Sequence, residues 1–88
     1  MKWIPCGEKL PQTFYEESEE GYGYWLSKPV LVSRIGNDFL EEDRIVVAYC
    51  VIDMGKIFWN AIDANPIKGV VAWMPLPEPY KGEKYEID

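Results

Sequence analysis

The chain contains no histidine. That removes the usual general base near neutral pH, along with any Ser–His or Cys–His nucleophile pair and the imidazole ligands of most zinc sites. The only hydroxyl candidates besides tyrosine are Thr13, Ser18, Ser27 and Ser33, and none lies in a nucleophile-elbow sequence. Gly21-Tyr22-Gly23 lacks the third glycine and the strand–helix setting of a phosphate loop. Acid, base and nucleophile cannot all be filled, so the sequence predicts a non-enzymatic protein with no cofactor and no metal. Cysteine is scarce too. Cys6 and Cys50 make no disulfide framework, and they read as reduced thiols of a cytoplasmic protein. Basic residues number nine against fifteen acidic, a net charge of −6, with no basic cluster. Nonspecific nucleic-acid binding and adhesion to anionic membranes are therefore disfavoured. No secretory signal or membrane-length apolar run is present.

What remains is short and aromatic. Eighty-eight residues suit a single domain over 1–88, and four Trp, six Tyr and three Phe offer it a core. Each buried aromatic removes roughly 150–250 Å² from water, which offsets the poor surface-to-volume ratio of so small a fold. The acid is unevenly placed. Residues 1–27 hold two basic and five acidic side chains, whereas residues 28–76 hold five and six.

The pattern predicts a mainly β protein: an antiparallel meander of about four strands, with extended N-terminal and proline-rich C-terminal straps packed on it and little helix. The strands are placed at 29–35, 44–53, 57–59 and 69–74. In the second, Ile45, Val47, Tyr49 and Val51 alternate with Val46, Ala48, Cys50 and Ile52. Both parities are apolar, which predicts a central strand covered on both faces. Asp53-Met54-Gly55-Lys56 suits a short hairpin loop with glycine at positive φ. Residues 60–66 suit a turn or one helical turn. Residues 12–24, with Glu16, Glu17, Glu19 and Glu20, read as a solvated acidic and aromatic loop, and 80–88 as a flexible tail. Residues 73–79 (WMPLPEP) alternate proline with other residues, which forbids helix and predicts an extended strap close to polyproline II.

Several of these residues form an ordered series: Trp3-Ile4-Pro5, Glu8, Leu10-Pro11, Pro29-Val30-Leu31-Val32, Tyr49, Trp59 and Trp73-Met74-Pro75-Leu76-Pro77-Glu78-Pro79. In this the chain resembles the small phage and prophage proteins grouped as domain of unknown function 551, along nearly its whole length. The resemblance implies a compact β-rich protein acting in the cytoplasm of a bacterial host, and it implies no activity. Members often carry histidine just before the closing tryptophan, where this chain has Ala72.

Candidate ligand- or partner-binding residues are Trp3, Tyr24, Trp25, Arg34, Arg44, Lys56, Trp59 and Trp73. Trp59 and Trp73 lie in strands and are also the natural core. Trp3 and Trp25 flank irregular segments and suit an exposed groove, since Trp, Tyr and Arg dominate binding hot spots. Arg34 and Arg44 bracket an acidic turn. They either pair with Glu41, Glu42 and Asp43 or clamp an anion with help from Lys56 or Lys68. An Asp53–Asp63 carboxylate pair across a hairpin is conceivable, though turn aspartates usually cap backbone. Glu41-Glu42-Asp43 lacks the ligand spacing of a calcium loop.

Three functions fit. One is a non-enzymatic phage or prophage accessory protein that binds a bacterial host protein and counteracts host defence or regulation. Another is an oligomeric protein that sequesters a nucleotide-derived immune signal. The third is a structural or accessory domain without ligand.

Overall fold

The computed structural model describes residues 2–36 and 44–78. They form one antiparallel sheet of eight strands and no helix: β1 (Ile4–Pro5), β2 (Thr13–Glu17), β3 (Gly23–Ser27), β4 (Val30–Arg34), β5 (Ile45–Asp53), β6 (Lys56–Ala61), β7 (Pro66–Ile67) and β8 (Val70–Pro75). The mainly β, antiparallel expectation holds. Four strands become eight. The expected loop over 12–24 is in fact most of the β2–β3 hairpin, because glutamates on an outer strand reach water without leaving the ladder.

β5 organises the sheet. β6 takes one of its edges, pairing from Ala48↔Ala61 to Asp53↔Lys56. β4 and β3 share the other edge, β4 along residues 45–48 and β3 at Ile52 and Val51. They run in the same direction, so 23–34 is one long strand with a fault in it. Between Leu26↔Val51 and Val30↔Ala48 that strand advances four residues while β5 advances three. The extra residue is a β-bulge at Ser27-Lys28-Pro29. Ser27 repairs the ladder there. Its Oγ accepts the Cys50 N–H at 2.9 Å and donates to the Lys28 carbonyl at 2.8 Å. Ser27 is only 3% exposed, and both of its bonds are made inside the protein.

A simple meander would set β8 beside β6 or β7. Instead β8 pairs with β4, from Val30↔Pro75 to Arg34↔Val70, and with β1 on its far side. Only Lys68 and Gly69 separate β7 from β8. In a flat sheet β7 and β8 would stand four strand spacings apart, about 19 Å, while Ile67 to Val70 spans at most about 11 Å. The sheet must therefore curl round on itself into a partial barrel. Gly69 makes the corner at φ 79°, where a side chain would run into the Ile35 carbonyl, and its own carbonyl accepts the Ile35 N–H at 2.8 Å.

The inside of the curl is the core. Val30, Val32, Ala48, Cys50, Trp59 and Trp73 are buried, with Ile4, Cys6, Leu10, Val46, Ile52, Ile67 and Val70 packed against them. β5 is thus covered mainly on one side. Ala48 and Cys50 are fully buried, while Val47, Tyr49 and Val51 are only partly covered and Ile45 is exposed. The double coverage expected of this strand is absent because β-branched residues serve a curled sheet whether or not its convex side is packed.

The N-terminal segment does lie on the sheet and meets the closing motif. Ile4 pairs with Trp73, the Cys6 N–H bonds the Val71 carbonyl at 2.9 Å, and the Trp73 indole N–H donates to the Lys9 carbonyl at 2.8 Å. The proline-rich strap does not form as expected. Trp73, Met74 and Pro75 are the end of β8, and Leu76 beyond them is exposed. Proline at the last ladder position costs no needed donor, so the sequence rule that bars it from strand interiors does not apply. Pro79, the acidic turn over 38–43 and the tail over 80–88 lie outside the described residues.

Candidate protein-binding arm

Beyond the bulge the sheet continues as an arm made of β2, β3, the end of β5 and the start of β6. Each local sequence accounts for its piece. Thr13-Phe14-Tyr15 and Tyr24-Trp25-Leu26 favour strand. The β2–β3 turn closes with Ser18 N–H to Tyr22 carbonyl (2.8 Å), Gly21 N–H to Ser18 carbonyl (3.0 Å) and Tyr22 N–H to Ser18 Oγ (3.1 Å). The β5–β6 turn sets Met54 at φ 51° and Gly55 at φ 78°, the two positive values of a type I′ hairpin, as its sequence predicts.

Register then aligns two apolar rows across four strands. Tyr15↔Trp25↔Ile52↔Ile57 share one face. Phe14↔Leu26↔Val51↔Phe58 share the other. Tyr15 and Trp25 meet edge to face with ring centroids 5.5 Å apart. Gly23 lies beneath the Tyr15 ring, where any side chain would collide with it, so glycine here lets the tyrosine lie flat over the strand. The Lys28 ammonium sits 5.9 Å from the centre of the Phe14 ring. No arm residue of the first row is buried. Tyr15 is 54% exposed, Trp25 47% and Ile57 52%.

The sequence candidates divide between body and arm. Trp59 and Trp73 are core, 8% and 6% exposed, and Trp73 meets open space only as part of the wall of a small cavity. Trp3 is exposed beside β1, at the opposite end of the strand order from β2. Tyr24 and Trp25 belong to the arm. Arg34 and Arg44 are adjacent, the N–H of the first donating to the carbonyl of the second at 2.8 Å. Lys56 sits opposite Asp53 at the other end of β5, about 30 Å along the strand from Arg44 at the usual rise per residue, so these three cations do not converge. Asp53 and Asp63 are not paired either. Asp53 ends β5 opposite Lys56 at the start of β6, whereas Asp63 lies in the turn past the far end of β6 and accepts from Asn65 at 3.1 and 2.9 Å, capping that turn. Sequence reasoning passed over Tyr15, Ile52, Ile57, Phe14 and Phe58. Their signal was the alternation of β2 against β3, hidden by the adjoining run of glutamates.

Two cavities adjoin the arm. One of about 180 Å³, lined by Pro11, Gln12, Phe14, Lys28, Val30 and Trp73, opens beside the bulge. That is below the usual size of a small-molecule site. The other, about 540 Å³, lies between the hairpin tips and is lined by Gly21, Tyr22, Gly23, Asp53 and Met54. It is large enough for a ligand, but its one charged wall is a carboxylate, which repels phosphate. Both cysteines are free thiols. Burial raises the Cys6 pKa, and burial followed by the nearby Cys6 pushes Cys50 up to about 11, so neither is a thiolate at neutral pH.

Residues 2–81 match the family described as Protein of unknown function (DUF551). The chain belongs to that family. No match to a curated protein or to a solved structure was found. Family membership brings a fold-length correspondence and no assigned chemistry, so the arm's geometry has to speak for function in this DUF551 protein.

Proposed function

We propose that this DUF551 protein is a non-enzymatic phage or prophage accessory protein that acts in the bacterial cytoplasm by occupying a host protein, plausibly a defence or regulatory factor, through its arm. One observation carries the reading: the row Tyr15, Trp25, Ile52 and Ile57 is built by register on four hydrogen-bonded strands, with Tyr15, Trp25 and Ile57 about half exposed and Ile52 partly covered. Apolar side chains on a sheet are normally covered, and a contiguous exposed set of them marks an interaction surface. Trp and Tyr at its centre are the residue types that anchor interfaces. The sequestering reading has less support: the larger cavity presents Asp53, Lys56 lies a strand's length from Arg34 and Arg44, and of the two lysines offered to the clamp only Lys68, next to Gly69, lies at the Arg34 end of β4.

The test is site-specific photocrosslinking in living bacteria, with the crosslinker at Trp25 or Ile57 and, as a control, at exposed Ile62 in the β6–β7 turn. The reading requires one discrete protein adduct from the arm positions, absent from Ile62, whose purified partner rebinds the purified protein. A protein that instead retains a nucleotide through purification, seen as absorbance near 260 nm, would favour sequestration.

A further inference from the structure

The arm ends abruptly at β2. This strand pairs with β3 along Thr13↔Ser27 to Glu17↔Gly23, and no described element pairs with its outer edge. Both apolar rows stop there, the first at Tyr15, 54% exposed, and the second at Phe14, 43% exposed. A row that is built across four strands and then breaks off lacks only a fifth strand to continue it. An open edge of this kind is a template for strand addition, in which main-chain hydrogen bonds supply affinity and flanking side chains supply choice of partner.

The flanking side chains here carry one sign of charge. Glu16 and Glu17 follow the two aromatics on the same edge, one on each face, and Glu19 and Glu20 occupy the turn beyond. Residues 13–27 contain these four glutamates and no lysine or arginine. Any strand laid along β2 must therefore set its side chains beside Phe14 and Tyr15 at one end and beside two carboxylates at the other. Cross-strand pairs of opposite charge, and of aromatic with β-branched residues, stabilise a sheet, while like charges opposed are unfavourable.

Resting on the protein-binding reading above, we infer that the outer edge of β2 takes an extended segment of a partner protein as a further strand, and that the segment is basic where it passes Glu16 and Glu17 and apolar where it passes Phe14 and Tyr15. The same charges discourage another chain of this acidic protein from adding there.

The test uses the purified full chain and two synthetic peptides that differ only in charge. One places two lysines before two valines, to lie antiparallel along β2. The other has glutamates in place of the lysines. Two-dimensional amide NMR and hydrogen exchange are read at 50 and 300 mM salt. The inference expects the lysine peptide to shift the amides of residues 13–17 and slow exchange at alternate ones. Its affinity should be at least tenfold above that of the glutamate peptide at low salt, with the gap narrowing at high salt. It also expects the double variant Glu16→Lys plus Glu17→Lys, on the solvent-exposed edge, to reverse the preference. Equal affinity for both peptides, or shifts centred on another part of the sheet, overturns it. So does a peptide-free protein that sediments as a dimer with its outward β2 amides already protected, since a second copy then fills the edge. If crosslinking through Trp25 finds a partner that leaves β2 exchange unchanged, the protein-binding reading stands and this inference falls.

Discussion

The body and the arm are built from the same strands and differ in what their side chains face. In the body, β5 lays Ala48 and Cys50 into the curl, both fully buried. Two residues beyond Cys50 on the same strand, Ile52 joins a row whose other members are about half exposed. Composition does not separate the two regions, since both are aromatic and β-branched. Curvature separates them. Where β8 and the N-terminal segment bring the curl round, apolar side chains meet one another. Where the sheet runs on past the Ser27 bulge, the same kinds of residue meet water. Among the described residues no buried side-chain nitrogen or oxygen lacks a partner, so the body satisfies itself while the arm does not cover its own apolar rows.

The contrast can be broken at four places. The largest effect is expected from Trp73→Ala, which empties the centre of the curl and removes the indole bond to the Lys9 carbonyl. Urea unfolding should show a loss of about 3–5 kcal/mol, a large share of a small domain's stability. A loss below about 1 kcal/mol would mean that the body is not the seat of stability. Next is Ser27→Ala, which strands the Cys50 N–H at the junction of the two regions. About 1–3 kcal/mol is expected from a buried donor left unpaired, with the valine methyls of β4 and the Trp25 indole both shifting in NMR spectra.

A smaller effect is expected from pH. The Cys50 thiol is pushed from its ordinary 9.0 up to about 11, chiefly by burial and secondarily by Cys6. The folded chain keeps this proton after the unfolded chain has lost it, so stability falls as pH rises from about 9 to about 11. Urea midpoints of Cys50→Ala across that window should decline less steeply than those of the parent. Parallel declines would show that Cys50 is not held protonated by the body. The smallest effect on stability is expected from Trp25→Ala, about 1 kcal/mol, the worth of an edge-to-face ring pair. The same change should weaken partner binding at least tenfold in titration calorimetry. Substantial unfolding with unaltered binding would reverse the roles assigned to arm and body.

Much of the body was legible. The strands around β4, β5, β6 and β8 follow from runs of β-branched residues, and the Asp53–Lys56 turn follows from its glycine. The meeting of the N-terminal segment with the closing tryptophan was expected from their shared need for cover. The curl was not legible. That β8 returns to β4 depends on a corner at Gly69, and one glycine at positive φ carries no signal of which strands it joins. β1 and β7, two residues each, are too short for periodicity to register. The arm was hidden for another reason. Four glutamates in residues 16–20 look like a solvated loop, yet on an outer strand charge is what keeps the edge from aggregating. Tyr24 and Trp25 were found by residue type alone. The row-mates of Trp25, Tyr15 and Ile57, needed the register, which the two hairpin turns and the bulge at Ser27 set together.

The double pairing of β8 has a bearing on synthesis. This strand, made late, is the neighbour that both the first strand and the fourth must wait for. A ribosome emitting the chain releases Ile4 and Val32 long before Trp73 arrives between them. No hairpin completed earlier holds Trp73, so the body cannot close before residues 70–75 have emerged. Until then the nascent polypeptide exposes its greasy interior to whatever chaperones stand at the tunnel mouth.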